Sequence, residues 1–167
     1  MLRIIGSTEV NNCTLQVEDY LPISVRCAEI ASLTPLYWRT GDFKKSLLEI
    51  GMNQNTGAIC KVTVTLVGNY SRAELEGFLD ATTVESRLPV CDISEWPNDR
   101  FKDEPFTFIT LVGEDSVSIW LTPMGPIKTI YKIEQVRFGA DGEGNLRLLQ
   151  FKKLSRVNLD QVIRSVV

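Results

Sequence analysis

The sequence of 167 residues contains no histidine. Histidine is the commonest general acid–base residue and the commonest metal ligand in proteins, so catalytic mechanisms of the Ser-His-Asp and Cys-His types are excluded. The sequence also lacks a G-x-x-x-x-G-K-[ST] phosphate loop and a G-x-G-x-x-G dinucleotide fingerprint. We therefore expect a protein without a cofactor, without a bound metal and without enzymatic activity.

Long apolar runs are absent as well. No segment approaches the roughly 18 consecutive apolar residues of a membrane-spanning helix, and the start, MLRIIGSTEV, lacks the apolar stretch and cleavage site of a signal peptide. The cysteines are few and widely spaced, with no C-x-x-C pair. They are Cys13, Cys27, Cys60 and Cys91. These features predict a cytoplasmic protein whose cysteines are buried thiols.

The composition is that of an ordinary globular domain. Hydrophobic residues make up 44% of the chain and charged residues 23%, which predicts one domain spanning residues 1–167. The net charge is −3, with the acidic excess between residues 84 and 127 and a basic excess after residue 128. An acidic total argues against nucleic acid as a partner, because nucleic-acid binding depends on clustered Lys and Arg side chains.

Three β-hairpins are predicted from alternating apolar residues on either side of turn residues. They pair residues 46–52 with 58–67, residues 106–112 with 116–122, and residues 127–138 with 146–152. In the third, the apolar phase shifts between Ile133 and Val136, which predicts a β-bulge. Residues 2–5, 14–17 and 25–30 are further candidate strands, and residues 89–105 have the composition of a long loop.

Two helices are predicted from capping patterns. Ser71 and Glu74 have the spacing of a capping box and precede an apolar stripe, which predicts a helix over about 71–80. Asn158 and Gln161 repeat that spacing and predict a helix over 158–166. The predicted fold class is therefore α+β and predominantly antiparallel β: a meander of hairpins in a curved sheet or a partly open barrel, with two short helices.

The segment 91–104 is the first candidate binding surface, because it combines five carboxylates with large aromatic and basic side chains. Trp and Arg dominate binding hot spots, and acidic groups around them would steer a basic partner. The alternative is a solvated loop whose Trp96 and Phe101 turn inward against the core. The predicted partner-binding residues are Asp92, Glu95, Trp96, Asp99, Arg100, Asp103 and Glu104.

A second candidate surface is the segment 36–42, from which Trp38 and Asp42 are added to the predicted partner-binding residues. The alternative assigns Trp38 to the core at a strand end and Asp42 to a turn.

The run Trp38-Arg-Thr-Gly-Asp-Phe-Lys-Lys-Ser-Leu-Leu-Glu-Ile-Gly51, continued by Gly57-Ala-Ile59 and Val62-Thr-Val-Thr-Leu66, resembles a hairpin pattern of bacterial immunity proteins. These proteins are encoded beside polymorphic or contact-dependent-inhibition toxins. The resemblance covers residues 38–66 and transfers no binding residues. It implies a non-catalytic inhibitor of one cognate toxin. Many such toxins are nucleases with basic clefts, which an acidic surface would complement.

The leading hypothesis is therefore a cytoplasmic immunity protein, a monomer or weak dimer, that binds a toxin domain with a basic surface. Neither nucleic acid nor a membrane is expected as a partner. The second hypothesis is a small-ligand-binding or structural β domain, with a pocket between the sheet and the helix predicted over 71–80. The third is a hydrolase that uses two carboxylates about 5–10 Å apart.

Overall fold

The computed structural model describes residues 1–73 and 83–165. Within them the chain forms fifteen β-strands, a short 3-10 helix (Ala28–Ile30) and the helix α1 (Arg156–Arg164). The strands are β1 (Ile4–Thr8), β2 (Thr14–Gln16), β3 (Ile23–Arg26), β4 (Leu36–Thr40), β5 (Ser46–Met52), β6 (Ile59–Val67), β7 (Tyr70–Arg72), β8 (Thr83–Glu85), β9 (Leu88–Cys91), β10 (Phe101–Asp103), β11 (Phe108–Val112), β12 (Val117–Leu121), β13 (Thr129–Ile133), β14 (Val136–Ala140) and β15 (Leu146–Phe151). The predicted predominance of β structure is confirmed.

The strands form two large sheets and a two-stranded ribbon. The six-stranded sheet has the order β10-β4-β5-β6-β3-β2, and the seven-stranded sheet has the order β7-β11-β12-β15-β14-β13-β8. The pairs β10–β4, β11–β7 and β13–β8 are parallel, and the other pairs are antiparallel. The ribbon β1–β9 connects the sheets through bridges from Val90 to Ala58 and from Arg3 to Asn145.

One hydrophobic cluster receives side chains from both large sheets and from α1. Trp38, Phe138 and Phe151 are its largest fully buried side chains. Alternation along β4 and β5 turns Trp38, Leu48 and Ile50 into this core, while Tyr37, Arg39 and Glu49 lie on the opposite face of the sheet. The six-stranded sheet therefore has a buried inner face and a polar outer face.

The first two predicted hairpins are confirmed as β5–β6 and β11–β12. The turn between β5 and β6 needs Gly57, whose φ is +74° and whose position would place a Cβ 2.2 Å from the Cys91 carbonyl oxygen. The third prediction is wrong in its first strand. Residues 127–138 contain a tight turn at Glu134, whose φ is +47°, and the shift of apolar phase marks the reversal from β13 to β14 instead of a bulge.

The predicted loop over 89–105 is also corrected at both of its ends. Residues 89–91 belong to β9, which pairs with β1, and residues 101–103 form β10. In the first forty-five residues, the predicted strands correspond to β1, β2 and β3, although the last of them ends at Arg26 and is followed by the 3-10 helix.

The C-terminal helix begins two residues before its predicted start. Ser155 is the N-cap, and its hydroxyl oxygen accepts a hydrogen bond of 3.2 Å from the backbone amide of Asn158. Asn158 is therefore inside the first turn. The helix predicted over 71–80 does not begin at Ser71, because Ser71 and Arg72 lie in β7 and pair with β11; residues 74–80 lie outside the described residues.

The prediction of four thiols is wrong for Cys13 and Cys27, which form a disulfide. The register of β2 and β3 pairs Thr14 with Arg26, so the next residues outward, Cys13 and Cys27, lie opposite each other. Cys60 and Cys91 are buried free cysteines, as predicted, and burial raises the pKa of both thiols. None of the described helices is long and apolar enough to cross a membrane.

Candidate functional site

Strand β10 turns part of the predicted binding segment into the edge of the six-stranded sheet. It pairs in parallel with β4, placing Phe101 beside Tyr37 and Asp103 beside Arg39. The pairing includes hydrogen bonds from the Tyr37 amide to the Arg100 carbonyl oxygen (2.8 Å) and from the Glu104 amide to the Arg39 carbonyl oxygen (3.0 Å). The opposite edge of β10 has no neighbouring strand in the part of the chain that the structure describes.

Four side chains form a compact cluster on the outer face of β4 and β10. The rings of Tyr37 and Phe101 stack with centroids 5.4 Å apart and planes inclined by 17°. The Arg39 guanidinium carbon lies 4.4 Å from the Phe101 ring centroid. Its Nε and Nη2 atoms donate to the two carboxylate oxygens of Asp103, at 2.6 and 2.8 Å. We call Tyr37, Arg39, Phe101 and Asp103 the outer cluster.

The outer cluster is both ordered and accessible. The Phe101 residue is 36% exposed, and the Asp103 side chain is 48% exposed. The hydrogen bond to Asp103 keeps the pKa of Arg39 above its ordinary value, so the guanidinium is charged. The two-pronged Arg39–Asp103 ion pair and the stacked rings present a partner with hydrogen-bond donors, acceptors and apolar area whose positions are already fixed. These side chains would therefore lose little conformational entropy on binding.

On the inner side of the same strand pair, Trp38 is completely buried. Its indole Nε1 donates a 2.6 Å hydrogen bond to Glu104 Oε2, which also lies 2.7 Å from the N-terminal ammonium group of Met1. Lys102 Nζ lies 3.6 Å from the other Glu104 oxygen. Trp38 was predicted to contact a partner directly; its burial assigns it instead to the core, where it positions the segment that follows β10.

The pKa of Glu104 reflects two opposing effects. Burial disfavours the carboxylate, but the hydrogen bonds from the N-terminal ammonium group and from Trp38 outweigh that effect and lower the pKa below its ordinary value. The carboxylate form is therefore the form that holds the end of β10 against Trp38.

The stability of the fold should consequently fall on acidification in a way that depends on Glu104. A carboxyl group whose pKa is lowered by folding stabilises the fold above its unfolded-state pKa, and this contribution disappears as the pH falls through the folded-state pKa. We expect Glu104→Gln to cost about 1.5–3 kcal/mol at neutral pH, the range for hydrogen bonds to charged groups, and to flatten the decline below about pH 5.

Urea denaturation of both proteins between neutral and acidic pH measures this effect. Glu95→Gln is the matched control, because Glu95 is exposed in the same segment. Parallel stability curves for wild type and Glu104→Gln would contradict the assigned role of the carboxylate.

Trp96 agrees in part with each of its two alternatives, contact with a partner and packing against the core. It is half-buried and packs against the core, while its Nε1 donates a 3.4 Å hydrogen bond to the Arg100 carbonyl oxygen. The Lys102 ammonium lies 5.6 Å from its ring. Phe101, by contrast, faces outward. The two aromatics therefore sit on opposite sides of β10.

The acidic groups of the segment 91–104 differ in whether their carboxylates are already engaged in contacts within the chain. Asp92 accepts hydrogen bonds from the Ser94 hydroxyl (2.6 Å) and amide (3.0 Å), which lower its pKa and stabilise the local turn. Asp103 and Glu104 are ion-paired within the chain. Among the described residues, Glu95, Asp99 and Arg100 form no ion pair, and all three are exposed.

Asp42 belongs to the turn between β4 and β5 and not to the outer cluster. Its Oδ1 atom accepts hydrogen bonds from the backbone amides of Lys44, Lys45 and Ser46 at 3.0, 2.7 and 2.8 Å. These bonds lower the pKa of Asp42 far below its ordinary value. The carboxylate is thus occupied with closing the turn, which agrees with the turn alternative for this residue.

Tyr37 and Arg39 lie in the candidate segment 36–42 but are not among the predicted partner-binding residues, and Phe101 was named only as a possible core residue. Their contact depends on the parallel pairing of β10 with β4, two segments separated by about sixty residues. The available signal was the shared alternation of Tyr37-x-Arg39 and Phe101-x-Asp103.

Among the described residues, no three His, Cys, Asp or Glu side chains are grouped so that they could hold a metal ion. No protein-family model matches the chain, and a comparison with curated proteins finds no match either.

Proposed function

We propose that the protein is a non-catalytic binding protein of the immunity type, which neutralises a cognate bacterial toxin domain through protein–protein contact. The outer cluster and the exposed side chains that precede it, from Glu95 to Arg100, form the binding surface. The observation that carries the proposal is the outer cluster: an exposed, internally fixed group of two aromatic rings and a forked ion pair at a sheet edge.

The residue types and their ordering favour binding over a purely structural role. Tyr and Arg are enriched at the energetic centres of interfaces, where ordered side chains lose little entropy on association. Arg39 is fixed by two hydrogen bonds and by the Phe101 ring. An ordered guanidinium on an exposed aromatic ring contributes only modestly to the stability of the fold. This arrangement therefore favours a role in binding over a role in stability.

The backbone of β10 supports the same proposal. The Arg100 carbonyl and the Glu104 amide point towards β4, and successive backbone groups of a strand alternate in direction. The Phe101 and Asp103 peptide groups therefore face the free edge, where the Phe101 amide meets the Asp99 carboxylate at 3.3 Å. An extended segment of a partner can add to this edge as a further strand.

Charge complementarity indicates a basic partner. Glu95 and Asp99 are exposed and form no ion pair among the described residues, so they are available to attract cationic groups. The charge of Asp103 is neutralised by Arg39. Asp103 would therefore help to fix the position of a partner without adding net charge to the surface. Rim charges of this kind act mainly on the association rate.

The test is a binding experiment with the product of the neighbouring gene. The two proteins are co-expressed, purified and studied by stopped-flow association at about 50 and about 300 mM salt, which brackets physiological screening. In Glu95→Lys/Asp99→Lys, the association rate constant should fall about tenfold at low salt and lose most of its salt dependence.

Glu18→Lys/Asp19→Lys is the matched control, because these exposed acids follow β2 at the opposite edge of the six-stranded sheet. The control should associate at close to the wild-type rate. Equal effects of the two double variants would show that the association rate depends on net charge alone and that Glu95 and Asp99 are not part of the interface. The absence of any complex would refute the proposed function.

A further inference from the structure

A second feature of the outer face lies on β3 and β6. Arg26 and Lys61 are directly opposite each other in the antiparallel pairing of these strands. Neither has a carboxylate oxygen within 4.0 Å in the part of the chain that the structure describes. Like charges placed directly opposite each other destabilise a sheet, and no ion pair among the described residues offsets this repulsion.

A groove of about 440 Å³ adjoins the two cations. Both of them line it, together with the completely exposed Leu33 and with Pro35 and Tyr37. It therefore combines positive charge with apolar surface.

The segment 26–35, which contributes most of the residues that line this groove, is held in place by three covalent or hydrogen-bonded links. Cys27 is joined to Cys13 by the disulfide, its backbone amide donates to the Cys60 carbonyl oxygen at 3.0 Å, and the Asn53 side-chain amide donates to the Ile30 carbonyl oxygen at 3.1 Å. A ligand would therefore meet a formed groove and would not have to order it first.

We propose that this groove docks an acidic, extended segment of a protein, in addition to the toxin contact proposed above. Carboxylates of the segment lie against Arg26 and Lys61, and an apolar side chain packs against Leu33 and Pro35. Charge complementarity is the basis of the assignment: two facing cations that form no ion pair among the described residues favour anionic groups, and the adjoining apolar rim suits a side chain more than a free ion.

The aromatic rings beside the groove argue for carboxylates over the phosphates of a single-stranded nucleic acid. Base stacking needs a free ring face. The Phe101 ring already contacts Tyr37 and the Arg39 guanidinium. The other side of Tyr37 is occupied by Lys61, 5.9 Å from the ring centroid, and by Gly51, where an added Cβ would lie 3.2 Å from the ring.

The test uses a fluorescein-labelled peptide of eight residues, seven glutamates and one central leucine, followed by fluorescence anisotropy at low salt. The double variant Arg26→Glu/Lys61→Glu should weaken binding by a factor of about ten or more, because attraction becomes repulsion. Leu33→Asp should also weaken it; since Leu33 is completely exposed, this variant keeps the fold and shows that a loss of binding is not a loss of folding.

The matched control is Lys132→Glu/Arg137→Glu. Lys132 and Arg137 also face each other directly, on β13 and β14 of the other sheet, so this variant carries the same change of net charge. It should retain at least half of the wild-type affinity.

Equal weakening by both double variants, or no saturable binding to wild type, would overturn the proposal. An octathymidylate that binds more tightly than the peptide would also overturn it, in favour of nucleic acid. Because no toxin is present in this assay, its failure leaves the proposed function untouched.

Discussion

Replacement of Trp38 by alanine should lower the free energy of unfolding by about 3–5 kcal/mol, the range for large aromatic side chains deleted from a core. Trp38 is completely buried, and its indole Nε1 donates a hydrogen bond to Glu104 Oε2. The variant therefore loses packing and leaves a carboxylate oxygen without one of its donors. In a domain of this size such a loss removes a large share of the total stability.

Trp96→Ala is the matched control for this prediction, because it deletes the same type of side chain from the rim of the core, on the same inner side of β10. Trp96 is only half-buried, and its hydrogen bond to the Arg100 carbonyl oxygen is long, at 3.4 Å. We expect it to cost about 1 kcal/mol, near the average for single substitutions. Urea denaturation measures both values, and similar losses for the two variants would contradict the assignment of Trp38 to the core and Trp96 to its rim.

Replacement of Arg39 by alanine should weaken the proposed toxin complex by a factor of about thirty or more, equivalent to about 2 kcal/mol, as expected for a central interface residue. The substitution removes the fork that fixes Asp103 and the cation that covers the Phe101 ring. Arg39→Lys retains the charge but not the two-pronged geometry, and it should recover only part of the affinity.

Arg147→Ala is the control for a generic effect of breaking an ion pair. Arg147 Nε lies 2.8 Å from Asp141 Oδ2, and both side chains are less exposed than those of Arg39 and Asp103. We expect Arg147→Ala to reduce stability more than Arg39→Ala does, and to leave affinity unchanged. Calorimetric titration provides the affinities, and an equal loss of affinity in the two variants would remove the outer cluster from the binding surface.

The parts of the fold that were predictable from sequence are those encoded locally. The β5–β6 hairpin has alternating apolar residues and a glycine at the turn position that adopts positive φ, so its pairing needs no information from elsewhere in the chain. The C-terminal helix was recognised from its apolar stripe. Its start was misplaced because Ser155, three residues before Asn158, is the residue that caps the first turn.

The errors occurred where distant segments decide the structure. The capping pattern predicts a helix that begins at Ser71, but parallel pairing with β11 places Ser71 and Arg72 in β7, so at these two residues tertiary pairing overrides local propensity. The register of β2 and β3 brings Cys13 and Cys27 together. Nothing in the spacing of the cysteines indicates that register.

The candidate site, like the fold, combines features that were predictable from local sequence with features that depend on distant segments. Composition indicated the segment 91–104, but it did not reveal which acids are already paired within the chain. The pairing of β10 with β4 neutralises Asp103 through Arg39 and directs Glu104 to the Trp38 indole. It also creates the outer cluster from two segments that are about sixty residues apart in the chain. The predicted acidic surface is thereby reduced to Glu95 and Asp99 beside an aromatic and ionic centre.

The most direct measurement is a titration of the toxin's own activity with this protein, at concentrations well above the wild-type Kd. The proposed function predicts that the wild-type protein abolishes the activity at one molar equivalent, and that Arg39→Ala, folded and at the same ratio, leaves a substantial part of it. Undiminished activity in the presence of excess wild-type protein, or equal inhibition by the wild type and by Arg39→Ala, would contradict the account.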